Sequence, residues 1–501
     1  MSKERQKSET DAADLLSSLT IEKEEAEKNR TPQSGTLLSK DAEKKERENN
    51  KELEGGQSSN EEKKTENNKN IGDELKEDKK AQSNNLVDSS YEVKVKLADL
   101  QADPNSPLYS VKSFEELGLR PELLKGLYSM KFNKPSKIQE KALPLLLSNP
   151  PTNMIGQSQS GTGKTAAFSL TMLSRVNESD PSTQCLCLAP ARELARQTLE
   201  VISTMSKFTN VTSQLIVPGS LERGQRINAH ILVGTPGSVL DLARKKIIDL
   251  SKIKVFVLDE ADNMLDAQGL GAQCLRVKKA IPTSTQLILF SATFPTEVRS
   301  YADKFVPNAN SLELKHEELN VDGIKQLYMD CDSEAHKFQV LGELYGLLTI
   351  GSSIIFVQRK DTANKLYAKM KVEGHTCSIL HADLDHSERD RLIDDFREGR
   401  SKVLITTNVL ARGIDIASVS MVVKYDLPVT KEGRPDPSTY LHRIGRTGRF
   451  GRVGVSISLI HDQASYRTLE AIRSYFGDVE MTRLPTDDWD EVEKIIKKII
   501  K

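Results

Sequence analysis

Asp259, Glu260 and Asp262 stand within four residues at the end of the apolar run Phe256-Val257-Leu258. Carboxylates this close repel one another, so setting them at the mouth of a buried strand calls for a cation or a basic partner. SQSGTGKT, residues 158–165, offers one. Gly161 and Gly163 let the backbone wrap closely round phosphate oxygens, and the successive N–H groups of Ser158, Gln159, Ser160, Gly161, Thr162 and Gly163 aim positive potential at them. Lys164 reaches the outer phosphates and Thr165 can ligate magnesium. The pattern G-x-x-x-x-G-K-[ST] is broken at its first position, Ser158. With a nucleoside triphosphate in the loop, Asp259 holds Mg2+ largely through water, and Glu260 orients or activates the water that attacks the γ-phosphate. Asp262 is left for basic or hydroxyl groups on neighbouring loops. Taken alone the three carboxylates are an exposed acidic turn; the phosphate loop argues otherwise.

These groups need strands to carry them. From about residue 112 the short apolar runs TNMIGQ, QCLCLAP, HILVGTP, KVFVLDE and TQLILFSAT alternate with helical stretches, the rhythm of a parallel α/β sheet. After a linker at 306–325 the rhythm restarts with SSIIFVQ, TCSILHA, KVLITTN, SMVVKYD and GVSISLI. Two tandem α/β domains are expected, over 112–305 and 326–501. In the last of these, Val492, Ile495, Ile496, Ile499 and Ile500 recur at helical spacing, which predicts a helix capping the second domain.

Composition divides the chain again. Residues 1–113 contain no Phe, Trp, Cys or His, and stretches such as NEEKKTENNKN cannot bury enough apolar area to offset the entropy of ordering. Residues 1–85 are read as a disordered charged tail and 86–111 as a short regulatory or linking segment. Residues 1–110 hold 19 Lys and Arg against 25 Asp and Glu, leaving 52 against 47 for the remainder. The overall charge of −1 therefore hides a mildly basic body, compatible with a polyanion partner without demanding one. Cys185, Cys187, Cys274, Cys331 and Cys377 are odd in number and lack metal-ligand spacing, which points to buried thiols in a reducing compartment. No secretion signal and no bilayer-crossing apolar run is read in the sequence.

Several short segments now join the phosphate loop. DEAD at 259–262, SAT at 291–293, PARELA at 190–195, TPG at 235–237, ARGID at 411–415 and HRIGRTGR at 442–449 together resemble the DEAD-box family of ATP-dependent RNA helicases. DPNSPLYSVKSFEEL, LDEADNMLDAQGLGAQ and YDLPVTKEGRPDPSTYLHRIGRTGRFGR resemble the branch that serves mRNA export at the cytoplasmic face of the nuclear pore. The resemblance implies two RecA-like parallel-sheet domains, ATP and Mg2+ as cofactors, and RNA-stimulated ATP hydrolysis that unwinds short duplexes and remodels mRNA-protein particles. It implies single-stranded RNA, a cytoplasmic-filament nucleoporin and an export activator carrying inositol hexakisphosphate as partners. A monomer without membrane insertion is expected, in nucleus and cytoplasm and enriched at the pore.

The resemblance also assigns residues. MKFNKPSKIQ is similar to the family's adenine-reading motif: Gln139 suits the adenine edge and Phe132 its ring face, although Phe132 read alone is a core aromatic. Arg446 and Arg449 resemble arginine fingers from the second domain, with His442 and Arg443 organising that surface and Gly413 and Asp415 bordering the nucleotide. Pro190, Arg192, Glu193, Gly219, Thr235, Pro236 and Gly237 resemble the first-domain half of an RNA path, and Arg359, Arg389 and Thr407 the second-domain half. Such contacts address phosphates and 2′-hydroxyls. Ser291 and Thr293 of SAT, together with Asp262, would couple the carboxylates to the RNA side.

Three positions depart from the family pattern: Ser238 after TPG, Asn408 before V-x-A-R-G, and His386 in place of a common Gln. Two other readings stay open at this point, a DNA-directed ATPase and an ATP-gated RNA clamp without useful turnover. The complete DEAD and HRIGRTGR pair argues against the first, and intact Lys164, Glu260 and Arg446 against the second.

Overall fold

A computed structural model describes residues 93–97, 110–158, 161–221, 227–265, 270–314, 323–347, 351–408, 419–448 and 453–500. Strands that are apolar on both faces must be covered on both, and the intervening helices supply that cover. The first sheet contains β1 (Val93–Lys96), β2 (Asn153–Gln157), β3 (Cys185–Leu188), β4 (Ser213–Ile216), β5 (Ile231–Gly234), β6 (Val255–Asp259), β7 (Gln286–Ser291) and β8 (Ala309–Leu314). Their order is β1-β8-β2-β7-β6-β3-β5-β4, parallel throughout except for the β1 and β8 pair. Cys185 and Cys187 point to one face and pack with Val255, Val257 and Ile288 against Phe168 and Leu170, as the alternation within QCLCLAP requires.

The second sheet contains β9 (Ile324–Asp330), β10 (Ser352–Phe356), β11 (Cys377–Leu380), β12 (Val403–Thr406), β13 (Val419–Lys424), β14 (Gly454–Ile460) and β15 (Thr482–Leu484). The order β11-β12-β10-β13-β14-β9-β15 is parallel at every pairing. Alternate residues feed opposite layers, Ile355, Ile405 and Val423 on one side and Ile354, Leu404 and Val422 on the other. The terminal helix Trp489–Ile500 inserts fully buried Val492 and Ile496, with Ile495 and Ile499 half-buried, into the first of these layers. It is the cap that its spacing predicts.

All ten apolar runs read from the sequence are strands. The other five, β1, β4, β8, β9 and β15, lie towards the sheet edges, where one face or end meets water and the apolar signal thins. Ala309–Leu314 falls within the expected linker 306–325, yet it pairs in parallel with β2 and buries Leu312 completely. Val93–Lys96 falls within the expected lead-in 86–111, yet it closes the first sheet on β8. The first structural unit is therefore wider at both ends than 112–305, and the connection between sheets is shorter than 306–325. The tail 1–85 lies outside the described residues. All five cysteines are free and buried, and no described helix is long and apolar enough to cross a membrane.

Candidate functional site

In both sheets the chemistry-bearing loops leave the carboxyl ends of parallel strands, and the strand order sorts them. In the first sheet β2, β7 and β6 are neighbours and lead into the phosphate loop, SAT and DEAD. The adjoining β3, β5 and β4 lead to Pro190 and Arg192, to Thr235, Pro236 and Gly237, and to Gly219. In the second, β11, β12 and β10 lead to Arg389, Thr407 and Arg359, while the segment between β13 and β14 holds His442, Arg443 and Arg446. Strand order thus separates, on each rim, the loops expected to meet nucleotide from those expected to meet a nucleic-acid strand.

The nucleotide half is built round a constrained loop. Gly163 sits at φ +99°, and a Cβ there would lie 2.4 Å from Gln139 Nε2, so only glycine fits. Ser136 and Gln139 form a capping box at the start of the helix Lys137–Leu146. Both also grip the loop: Ser136 Oγ donates to Thr162 O at 2.6 Å and Gln139 Nε2 donates to Gly163 O at 3.0 Å. Gln139 is only 2% exposed. Expected as the reader of adenine, it here holds the phosphate loop in shape. Phe132 is half-buried against the core at the same corner. Buried Lys164 donates from Nζ to Ser158 O at 2.8 Å, and Thr165 follows at the helix start.

Asp259 ends β6 fully buried, and Glu260 takes a left-handed conformation, φ 53°, that turns the chain into the short helix Ala261–Met264. Burial, and then the charge of Glu260, push the Asp259 carboxyl up to about 7. Burial also raises the Glu260 carboxyl, but Lys164, His442 and Arg446 outweigh it and hold the group below its ordinary value. A buried carboxylate that the fold leaves short of positive charge fits a divalent cation, and Thr165, in the first turn of the helix after the phosphate loop, is the oxygen ligand that the sequence offers beside it.

Asp262 is the joint between the two rims. Its Oδ2 accepts from Thr293 Oγ1 at 2.6 Å on its own side, and from Ser438 Oγ at 3.0 Å and His442 Nε2 at 2.8 Å on the other. Its backbone N–H donates to Ser291 Oγ at 3.2 Å. His442 Nδ1 lies 3.6 Å from Glu260 Oε2. Arg446, 2% exposed, donates from Nε to His442 O at 2.9 Å, which fixes its stem beside the histidine. Fully buried Arg443 stacks on Phe356 and donates to Asp426 O at 2.6 Å and to Asn408 Oδ1 at 2.6 and 3.1 Å. Its guanidinium, drawn down to about 10 by burial, takes a neutral amide oxygen where the family pattern has a carboxylate.

Three residues that the resemblance assigns to RNA, Arg192, Glu193 and Arg389, also serve the interface. Arg192 pairs with Asp390 at 2.7 Å and Arg389 with Glu193 at 3.2 Å, across the cleft between the helices Arg192–Met205 and His386–Arg397. Arg196 with Asp394 at 2.9 Å and Arg397 with Glu200 at 3.7 Å extend the same seam. Exposed Gly219, Gly237 and Arg359 and half-buried Pro190, Thr235 and Thr407 line the rim nearby, and Pro236 is buried. Ser238 accepts from Thr235 Oγ1 at 3.2 Å, and exposed His386 lies 3.1 Å from Arg389. Gln159, Ser160, Gly413, Asp415 and Arg449 lie outside the described residues.

The sequence reading missed Ser438, Ser136, Arg196 and Asp394. The spacing S-x-x-Q at 136–139 is a legible capping box. The other three carry no local signal, since each matters through a partner far away in the chain.

A family model described as DEAD/DEAH box helicase matches residues 136–301, and one described as helicase conserved C-terminal domain matches 336–451. The chain is 74% identical over 510 residues to the ATP-dependent RNA helicase DBP5 of Debaryomyces hansenii, covering 100% of both. It is 72% identical over 422 residues to the protein of the same name from Saccharomyces cerevisiae, covering 84% of this chain and 88% of that one. Among solved structures, S. cerevisiae Dbp5 bound to RNA and ADP BeF3 is 72% identical with a TM-score of 0.76, over 78% of this chain and 100% of that chain. A variant of the yeast protein bound to Nup159, Gle1, IP6 and ADP is 70% identical with a TM-score of 0.58, over 76% and 99%.

Proposed function

Because this chain belongs to the DEAD/DEAH box helicase family, we propose that it couples ATP binding and hydrolysis to local RNA unwinding and mRNA-protein remodelling. The setting we infer is mRNA export at the cytoplasmic face of the nuclear pore, with protein in nucleus and cytoplasm and enrichment at the pore. Single-stranded RNA is the substrate strand, by likeness to the RNA-bound yeast protein. A nucleoporin like Nup159 and an activator like Gle1 with inositol hexakisphosphate are its partners, as in the yeast complex.

One observation carries the mechanism: Asp262 bonds to hydroxyl groups of its own rim and to Ser438 and His442 of the other. The catalytic set is complete only when the rims meet. Lys164 leaves Ser158 O for the outer phosphates while the N–H groups of the loop hold the rest of the chain of phosphates. Asp259 and Thr165 would hold Mg2+, which when bound neutralises charge between the β- and γ-phosphates. Glu260 Oε2 and His442 Nδ1 are the two buried polar atoms between which the attacking water is held, and Glu260 orients it or takes its proton. Arg446, with Arg449, brings positive charge to the γ-phosphate as charge develops there. Phe132 and Gln139 select adenine, Gln139 by turning its amide from loop to base. Gly413, Asp415 and Arg443 border and brace the nucleotide from the second rim.

RNA laid across the strand-binding halves touches Pro190, Arg192, Gly219, Thr235, Pro236 and Gly237 on one rim and Arg359, Arg389 and Thr407 on the other. That strand favours closure and so raises turnover, which Asp262, Ser291 and Thr293 transmit. ATP hydrolysis is measured with no nucleic acid, with single-stranded RNA and with single-stranded DNA. Turnover should rise several-fold with RNA and little with DNA, and Glu260→Gln and Arg446→Ala should each nearly abolish it. Equal stimulation by DNA would favour a DNA-directed ATPase, and no turnover in any condition a clamp.

A further inference from the structure

Beneath the helix Pro437–Ile444 lies a buried lysine with no counter-charge. Lys424 ends β13, fully buried, between Phe356 of β10 and Ser458 of β14 in the sheet. Its Nζ bonds to Ser456 Oγ of β14 and lies 4.7 Å from the ring centroid of Tyr440, a buried residue of the helix. The charged group that faces it is Arg443 of the same helix, also fully buried and bonded to neutral oxygens, Asn408 Oδ1 and Asp426 O. Burial pushes the Tyr440 phenol up, so that group stays neutral. The Asp426 carboxylate is engaged elsewhere, by Lys337 Nζ at 3.0 Å and the Gln358 N–H at 2.8 Å. Among the described residues no carboxylate pairs with Lys424. Lys337 shows the contrast: at 2% exposed it has both Glu334, at 2.9 Å, and Asp426.

An ammonium brings three N–H donors and a full charge, and here it would meet one hydroxyl and one ring face beside a second cation. The ring offsets only a small part of what the charge loses on leaving water. An uncharged amine fits, since its lone pair and two N–H groups can be shared between the Ser456 hydroxyl and the ring. Burial, and then the charge of Arg443, hold the Lys424 amine well below its ordinary value. We infer that Lys424 works as an uncharged amine and is a positioning residue, seating the helix Pro437–Ile444 that carries Ser438, His442 and Arg443 to the cleft and leads into Arg446. A base held low takes up its proton only as pH falls through the lowered value. That proton sets a second buried cation against Arg443, and the helix must leave β13 and β14 for water to reach it. Closure is therefore lost on the acid side and intact on the alkaline side. Asn408 belongs to the same arrangement, because a carboxylate there would neutralise Arg443 and let Lys424 keep its proton to higher pH. The effect on closure rests on the proposed RNA-coupled ATP site; the protonation state of Lys424 does not.

Full-length protein, deuterated and labelled in its lysine side chains, is followed by nuclear magnetic resonance between pH 5 and pH 9. At pH 8 one lysine should show the shifts of a neutral amine, a signal absent from Lys424→Met, and it should take up its proton as pH falls. Asn408→Asp should move that midpoint to higher pH. The backbone amide signals of Tyr440 and Leu441 should move at the same midpoint in the parent and not in Lys424→Met. RNA affinity is then read by anisotropy with a non-hydrolysable ATP analogue and saturating Mg2+. Below the midpoint it should weaken by up to about tenfold per pH unit in the parent, and Lys424→Met should escape that loss. Comparing the two proteins at each pH cancels the titration of Asp259, which they share. Lys424→Gln, a shorter uncharged replacement, stands in if Lys424→Met does not fold. A charged Lys424 at pH 8 overturns the inference, and so does a loss of RNA affinity in acid that is as steep in Lys424→Met as in the parent. An analogue that fails to tighten RNA at pH 8 is the failure of the RNA-coupled reading instead, and the lysine and amide signals still decide whether Lys424 is neutral and seats the helix.

Discussion

At the scale of single residues, the site works through groups held where water would not leave them. Asp259 is the clearest case, since burial and the neighbouring Glu260 lift its carboxyl to about 7. The ionised form is the one that can hold Mg2+, so metal and proton compete. Below about pH 7 the apparent Mg2+ affinity should fall as pH drops, by up to tenfold per unit, and above it should level off. Titrating Mg2+ dependence of nucleotide binding between pH 6 and pH 8 checks this, and a slope that persists well above pH 7 would count against Asp259 as the titrating group. Gly163 tests the loop itself. Gly163→Ala puts a methyl into Gln139 Nε2 at a backbone angle of +99°. Strain of about 1–3 kcal/mol should weaken nucleotide binding about five- to 150-fold while the far-ultraviolet circular dichroism stays that of the parent.

Between elements, the seam of helices Arg192–Met205 and His386–Arg397 carries alternating charge from both sides. Arg196 and Asp394 are each about one-third exposed, so their pair alone contributes about 0.5–1 kcal/mol. Arg196→Asp or Asp394→Arg sets like charges together and should raise the RNA concentration for half-maximal ATPase several-fold, leaving turnover without RNA unchanged. The double exchange should recover most of the loss. Failure of the double variant to recover would mean that these side chains act separately. The sheets show why element reading stops where it does. β3, β6 and β7 are buried along their whole length and announce themselves as apolar runs, whereas β4 and β8 carry Ser, Gln, Asn and Glu among few apolar residues. Their pairing with a neighbour, which local composition does not encode, makes them strands.

For the molecule as a whole, one carboxylate shared by two rims predicts coupled binding. A non-hydrolysable ATP analogue should tighten RNA by the same factor as RNA tightens the analogue, in a range of about 5–150-fold. Asp262→Asn should bring that factor close to one, with each ligand alone binding nearly as before. Unequal factors would break linkage and expose a third species in the assay; a preserved factor in Asp262→Asn would remove Asp262 from the coupling. The sequence by itself determined the two α/β units, the phosphate loop and the acidic strand end, because each is written in contiguous residues whose spacing is the geometry. Only the tertiary structure decided which atoms meet. His442 is 180 positions from Asp262 and Asp394 is 198 from Arg196, and their contacts depend on strand order and on how two sheets face each other. No local periodicity carries that information, since a side chain's partner is chosen by the packing of the whole rim.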